Sequence, residues 1–115
     1  MLTMNALRGY GADTQVGLAR CMNDESLYLG LVEMLMNDRR FEEMCLAVET
    51  LGIRHAMHEA HALLETASSL ALTPLAEQLE QMILCLQLRG DSAVLEKQVR
   101  LLRLNMEKLR EIDGN

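Results

Sequence analysis

The chain alternates between stretches of helical periodicity and short groups of turn or capping residues. Apolar side chains recur every three or four positions, which is the spacing of one face of an α-helix. The stretch from Ile53 to about Leu70 contains no Gly or Pro, and its apolar residues lie at 53, 56, 57, 60, 63, 64, 67 and 70. Shorter apolar stripes cover residues 16–19, 27–35, 41–51, 75–86 and 95–109. The pattern predicts a helix at each stripe.

Small polar residues, Gly and Pro mark the ends of these helices. We expect N-caps within four Asp-containing pairs, and Thr73 as a further N-cap followed by Pro74 at the first helical position. Gly52 is expected to end the helix before it as a C′ glycine. The remaining boundary pairs and breaks are Asp13-Thr14, Asn23-Asp24, Asn37-Asp38, Asp91-Ser92, Gly9-Tyr10-Gly11 and Arg89-Gly90.

The short connections predict antiparallel neighbours and therefore an all-α fold. We expect an up-and-down four-helix bundle with one or two additional short N-terminal helices. No linker, repeat or shift of composition divides the chain, so residues 1–115 are predicted to form a single domain.

Composition supports this prediction and narrows the class of protein. Half of the 115 residues are hydrophobic but only 3% are aromatic, and there is a single Pro, which favours helices over strands. The net charge of −6 argues against nucleic acid or an anionic membrane as a partner. No apolar run approaches the ~20 residues of a membrane span, and the first residues lack a signal-peptide pattern. The sequence therefore predicts a cytoplasmic protein.

Two residue types that often carry chemistry have a simpler interpretation here. Cys21, Cys45 and Cys85 are odd in number and far apart, and each lies among apolar residues, so we expect core thiols. Of the nine methionines, Met34, Met57 and Met82 fall on predicted inner faces and are expected to fill the core.

The predicted helix from Ile53 carries a continuous polar stripe. At 100° per residue, its members follow one another at steps of four, three, four and three. They are Arg54, His58, His61, Glu65 and Ser68, and the opposite stripe is predicted to comprise Ile53, Met57, Ala60, Leu64 and Ala67. This arrangement places His61 on an exposed surface in the middle of the helix.

Three interpretations of His55, His58 and His61 compete. The simplest is a solvated helix face. A surface metal chelate of His58, His61 and Glu65 is possible, but His55 lies ~120° around the helix from His61 and no Cys shares the stripe. The third is a histidine nucleophile, since neutral imidazole is nucleophilic near neutral pH.

The segment Ala60-His61-Ala62-Leu63, followed by Leu70-Ala71-Leu72-Thr73-Pro74-Leu75, resembles the stretch around the phosphorylated histidine of the histidine phosphotransfer (HPt) domains of bacterial multistep phosphorelays. The resemblance covers nearly the whole chain. It includes the segment from Gly9 to Leu29, the helix that begins near Phe41, the Arg89-Gly90-Asp91 break and the final amphipathic helix.

The family pattern is roughly A-H-x-L-K-G, and this chain departs from it after the histidine. Leu64 stands where the family has Lys, and Glu65 stands where it has Gly. The family Lys offers a cation to the phosphoryl oxygens, whereas Glu65 adds a negative charge beside them. Alternatively, this carboxylate accepts a hydrogen bond from the imidazole and raises its basicity. Arg54, two turns earlier, is the candidate substitute cation, and Ala71 replaces a Gly that is usual ten residues after the histidine.

The resemblance implies a phosphocarrier rather than an independent enzyme. His61 would accept a phosphoryl group from a receiver-domain aspartate, through Nε2, and pass it on. The partners implied are a response-regulator receiver domain, a hybrid sensor kinase, or both, and no nucleic acid or membrane. No cofactor or metal of its own is expected, because the receiver supplies Mg²⁺. The alternative is a non-phosphorylatable docking or adaptor module that binds a receiver or kinase domain.

Overall fold

A computed structural model describes residues 1–50 and 52–114 of the chain, and these ranges contain seven α-helices and no β-strand. The helices are α1 (Met4–Tyr10), α2 (Thr14–Arg20), α3 (Glu25–Met36), α4 (Arg40–Glu49), α5 (Ile53–Ser69), α6 (Thr73–Gln87) and α7 (Ser92–Asp113). The prediction of an all-helical protein is confirmed.

The last four helices pack in chain order, with α4 against α5, α5 against α6 and α6 against α7, while α7 also contacts α4. Cross-helix hydrogen bonds show that α6 and α7 are antiparallel. Gln78 donates to Gln98 at 2.8 Å, and the Asn105 amide donates to the Pro74 carbonyl oxygen at 3.1 Å. Contacts therefore move toward the start of α6 as α7 advances.

The contact between α4 and α7 combines a shared apolar interface with surface ion pairs. Arg103 on α7 donates to Glu49 at 3.0 Å and to Glu42 at 3.3 Å, which lie at opposite ends of α4. These carboxylates are exposed, so each pair contributes little, about 0–1 kcal/mol. The buried side chains between the helices therefore account for most of the stabilisation.

Small side chains make α5 the closest-packed helix of the core. Ala56, Ala60, Leu63 and Ala67 are all 0% exposed and lie on one face. A methyl group projects little from the helix surface, so the neighbouring helices α4 and α6 approach α5 closely. The larger buried side chains come from the surrounding helices; they include Tyr28, Met44, Leu72, Leu79, Met82, Leu86, Leu102 and Leu109.

The short N-terminal helices attach to the carboxyl end of α5. Tyr28 on α3 is fully buried, and its hydroxyl donates to the Leu70 carbonyl oxygen at 2.8 Å. Arg20 on α2 donates to the carbonyl oxygens of Ser68 and Ser69 at 2.7 and 3.2 Å. The last carbonyls of a helix lack the N–H partner that a further turn would provide, and a cation near them also interacts favourably with the helix dipole. The two side chains therefore cap α5.

Helix α1 was not predicted from the sequence. The expected break at Gly9-Tyr10-Gly11 is wrong in its first two residues, since Gly9 and Tyr10 are helical and Gly11 ends the helix with φ 114°. A Cβ at Gly11 would lie 2.9 Å from Pro74 Cγ, so glycine permits both the backbone conformation and the close approach. Tyr10 donates a hydrogen bond to Asn105, which joins α1 to α7.

The predicted helix boundaries are mostly confirmed. Asp13, Asp24 and Asp91 each accept a hydrogen bond from a backbone N–H in the first turn of the helix that follows. The N-cap expected within Asn37-Asp38 is wrong, because Arg39 occupies the N-cap of α4 and makes no side-chain capping bond. The boundary at Thr73 is wrong by one residue, because Leu72 occupies the N-cap and Thr73 is already helical. Gly52 is not a left-handed C′ glycine: its φ is −79° and it immediately precedes α5.

The core assignments are confirmed with one clear exception among the methionines. Met82 is fully buried as expected, whereas Met34 is 70% exposed on α3. The exception arises because α3 is covered by fewer neighbours than α5 or α6, so only part of its apolar surface is buried. Leu51, placed on the predicted core stripe of α4, lies outside the described residues.

We expect Tyr28→Phe to lower the free energy of unfolding by about 1–2 kcal/mol, because the buried Leu70 carbonyl loses its partner.

Burial, reinforced by Cys21 and Asp13, raises the pKa of Tyr28 to about 12 from 10.0. Folding therefore gains stability from this phenol below pH 10, and that gain is lost as the pH rises toward 12.

Denaturant unfolding of both proteins across this pH range measures the two effects. The variant should lose stability less steeply than the parent as the solution becomes alkaline. Equal slopes would contradict the assignment of this alkaline sensitivity to Tyr28.

Candidate functional site

The polar stripe of α5 lies on the surface, as the sequence predicts. Its five members, Arg54, His58, His61, Glu65 and Ser68, are all exposed. The opposite face is buried, but its centre is rotated from the expected position. Ile53, Met57 and Leu64 are only half-buried, while the fully buried arc passes through Ala56, Ala60, Leu63 and Ala67.

His61 is held in position by its backbone alone. It lies in the interior of α5, next to buried Ala60 and half-buried Ala62, whose methyl groups do not cover the ring. Within residues 1–50 and 52–114, its imidazole makes no hydrogen bond to another protein group. Both ring nitrogens are therefore open to solvent, and either is available to attack an electrophile that reaches this face.

The two residues that depart from the family pattern differ in burial. Leu64 packs its side chain partly against the core, so it contributes apolar contact and no charge. Glu65 is exposed and lies one helical turn after His61. In the described part of the chain it forms no hydrogen bond with that imidazole, so the orienting role suggested by the sequence has no contact to support it.

Glu65 also borders a surface depression on the side of α5 that faces α3. This depression has a volume of about 410 Å³, and Asp38 and Arg40 border it as well. Arg40 is paired with Asp38 at 2.7 Å, and this interaction holds the pKa of the Asp38 carboxyl below its usual value. The arginine that borders this depression together with Glu65 therefore already has a partner.

Arg54 is remote from His61. Seven residues separate them, which corresponds to about 10 Å along the helix axis. Arg54 instead borders a cleft between α5, α6 and α7, together with His58 and Arg89. Within the part of the chain that the structure describes, Arg54 makes no hydrogen bond with His61, so no contact supports the expectation that it supplies a cation there.

The metal interpretation of the histidines gains no support either. In the ranges that the structure describes, no three His, Cys, Asp or Glu side chains converge in a way that would hold a metal ion. His55 is exposed on a different side of the helix from His61, as its ~120° separation predicts.

Ala71 ends α5 in the left-handed region, with φ 55°. Its N–H donates to the Ser68 carbonyl, and the Leu72 N–H donates to the Ala67 carbonyl, both at 3.0 Å. This pair of bonds is a Schellman motif, in which the C′ residue is most often glycine. The position where the family usually has Gly is therefore one that requires a left-handed backbone, and alanine there is strained.

Glu59 is a buried carboxylate that the sequence analysis did not identify. Its side chain is 8% exposed, and Oε2 has no hydrogen-bond partner. It lies on the side of α5 next to α4, where its charge helps to raise the pKa of Arg40. The sequence did contain a signal for this burial. Glu59 lies three residues after Ala56 and four before Leu63, and this spacing places it on the buried face of the helix.

The cysteines are free thiols within the described residues. Cys21 and Cys45 are buried and Cys85 is half-buried, which agrees with their predicted place in the core. Burial raises the pKa of Cys45 to about 11, so this thiol stays protonated and unreactive near neutral pH.

Comparison with protein-family models, with characterised proteins and with solved structures finds no significant match to this chain. Among the described residues, no helix is both long enough and apolar enough to cross a bilayer.

We expect Ala71→Gly to stabilise the protein by about 0.5 kcal/mol. Relief of the left-handed strain contributes about 1–2 kcal/mol. This gain exceeds the free-energy cost of the greater conformational entropy of the unfolded chain and of the lost methyl contact. The matched control is Ala67→Gly, the same change within the right-handed part of α5. It should destabilise by about 1–2 kcal/mol.

Urea unfolding of the parent and both variants provides the measurement. Effects of the same sign at the two positions would contradict the left-handed assignment.

Proposed function

We propose that this protein is a phosphorelay phosphocarrier of the histidine phosphotransfer type, in which α4–α7 form the up-and-down four-helix bundle and His61 is the phosphoacceptor. The observation that carries the proposal is the unobstructed imidazole of His61 in the middle of a rigid helix. The left-handed backbone at Ala71 adds support, because it accounts for the glycine that the family has there.

The proposed transfer is a single substitution at phosphorus. The Nε2 lone pair of neutral His61 attacks the phosphorus of a receiver aspartyl phosphate. The N–P bond forms as the acyl O–P bond breaks, and the aspartate leaves as a carboxylate. The phosphorylated ring then carries its proton on Nδ1. Reversal onto a second receiver returns His61 to its neutral form, so the protein acts as a carrier and needs no cofactor of its own.

Glu65 and Leu64 make this site electrostatically unfavourable. A carboxylate one turn from the histidine repels the incoming phosphoryl oxygens, although solvent screens both exposed groups. The half-buried Leu64 provides no compensating cation. We therefore expect transfer to and from His61 to be slower than it would be with the family residues.

The alternative is a docking or adaptor module that binds a receiver or kinase domain without carrying phosphate. Leu64 is the observation that favours it, because an apolar side chain partly open beside His61 offers contact area to a protein partner and nothing to a phosphate. Both functions require the same exposed face of α5, so only phosphorylation distinguishes them.

The test is phosphorylation by phosphoramidate, a small donor that phosphorylates histidine directly. We expect the intact mass, measured at neutral to alkaline pH, to increase by one phosphoryl group in the parent protein. His61→Ala should lose that increase, whereas His55→Ala and His58→Ala should retain it. Discharge of the phosphorylated protein by a receiver domain with Mg²⁺ would complete the evidence for a carrier.

Retention of the phosphoryl group in His61→Ala would contradict the assignment of the acceptor. No phosphorylation of the parent, with receiver binding intact by calorimetry, would favour the docking module instead.

Changing the charge at positions 64 and 65 should accelerate transfer. Leu64→Lys adds a cation near His61, and Glu65→Gln removes the negative charge at almost constant volume. We expect each single variant to increase the rate of phosphorylation severalfold, since about 1.4 kcal/mol corresponds to tenfold and both groups are solvent-screened.

Glu80→Gln is the matched control, because it removes the same charge at an exposed position on α6. Unfolding curves of each variant establish that the fold is intact. A rate unchanged by Leu64→Lys and Glu65→Gln together would show that electrostatics at these two positions does not limit transfer.

A further inference from the structure

A cleft separate from the surface around His61 opens at the end of the helical array where α5 begins. It has a volume of about 960 Å³ and lies between the start of α5, the end of α6 and the start of α7. Apolar side chains from all three helices form its inner wall. They are Ile53 and Met57 from α5, Leu86 from α6 and Leu95 from α7.

The inner wall of the cleft is formed partly by residues of the hydrophobic core. Leu86 and Leu95 are 1% and 4% exposed, so they belong to the core and present only a small edge to the cleft. Ile53 and Met57 are half-buried and provide most of the apolar surface that an occupant would touch. A molecule seated there would cover apolar area that now faces water, which is favourable by about 25 cal/mol per Å².

The rim of the cleft is cationic, although the chain as a whole carries a net charge of −6. Arg54 borders it from α5 and Arg89 from the turn after α6, and His58 lies one turn after Arg54. In the described part of the chain, neither arginine side chain forms an ion pair or a hydrogen bond. Arg40 and Arg103, by contrast, both have carboxylate partners.

Three acidic residues adjoin the lining residues in sequence, and none of the three borders the cleft itself; they are Glu59, Asp91 and Glu96. Asp91 is the N-cap of α7, and its carboxylate accepts a hydrogen bond from the Val94 N–H at 2.9 Å. Gln87 and Ser92 complete the polar border and carry no charge. Two forked guanidinium groups without protein partners therefore face one apolar cleft, and such groups bind carboxylate or phosphate oxygens in a bidentate manner.

We propose that this cleft binds an amphipathic anion, meaning a phosphate or carboxylate head group that carries an apolar chain or ring. The head group lies between Arg54 and Arg89, with His58 beside it, and the apolar part lies on Ile53 and Met57. Charge complementarity selects the head group, and the apolar wall selects against a free inorganic ion. The proposal is independent of phosphoryl transfer at His61.

The test uses three probes that separate the two parts of the ligand. Octyl phosphate carries both the charge and the chain, inorganic phosphate only the charge, and octyl glucoside only the chain. Titrations are followed by calorimetry and by amide chemical shifts of the full-length protein, below the concentration at which the detergents form micelles.

We expect saturable binding of octyl phosphate, with shifts centred on the ends of α5, α6 and α7 that border the cleft. Inorganic phosphate and octyl glucoside should each bind at least about tenfold more weakly. Arg54→Gln and Arg89→Gln should each reduce the affinity for octyl phosphate about tenfold, as expected for the loss of one charge-assisted hydrogen bond.

Arg39→Gln is the matched control, since this exposed arginine lies outside the cleft and loses the same charge. It should change the affinity less than about twofold. Equal binding of octyl glucoside would overturn the role of the arginines, and equal binding of inorganic phosphate would overturn the role of the apolar wall. Shifts confined to other surfaces, or no saturable binding, would overturn the site itself.

Discussion

The close packing of α5 against its neighbours is the constraint on which the rest of the structure depends. Alanines at positions 56, 60 and 67 have no exposed surface, so at these three positions the neighbouring helices leave room only for a small side chain. A larger residue there would force the adjacent helices apart, because packed interiors have little free volume. The helix therefore cannot rotate about its axis, and its opposite face, with His61, is held outward.

This constraint separates the chemical groups of α5 into two regions. His61 lies in the middle of the helix beside Glu65, an anionic neighbour. Arg54 lies at the amino end, where it borders the same cleft as Arg89 from the turn after α6. The proposed phosphoacceptor and the cationic cleft therefore lie at different positions along α5. Sequence comparison with the HPt pattern describes only the first region.

The sequence predicts the helices and the exposure of His61 because both depend on local periodicity. It does not predict α1, since that helix is stabilised by contacts with Pro74 and Asn105 that are distant in sequence. The convergence of Arg54 and Arg89 is equally invisible to a pattern confined to one helix. Ala71 shows a third kind of limit, because its residue type gives no sign of the left-handed backbone it adopts.

The attachment of α1 has a consequence for the order in which the fold is completed. Its partners, Pro74 and Asn105, belong to the last two helices, so their contacts with α1 close most of the chain into a loop. During synthesis, the first helix leaves the ribosome long before either partner exists. The apolar residues Leu2, Met4 and Leu7, which lie in or just before α1, must therefore remain exposed until α7 has emerged. Docking of α1 is a late event, and the nascent chain is most vulnerable to aggregation before it occurs.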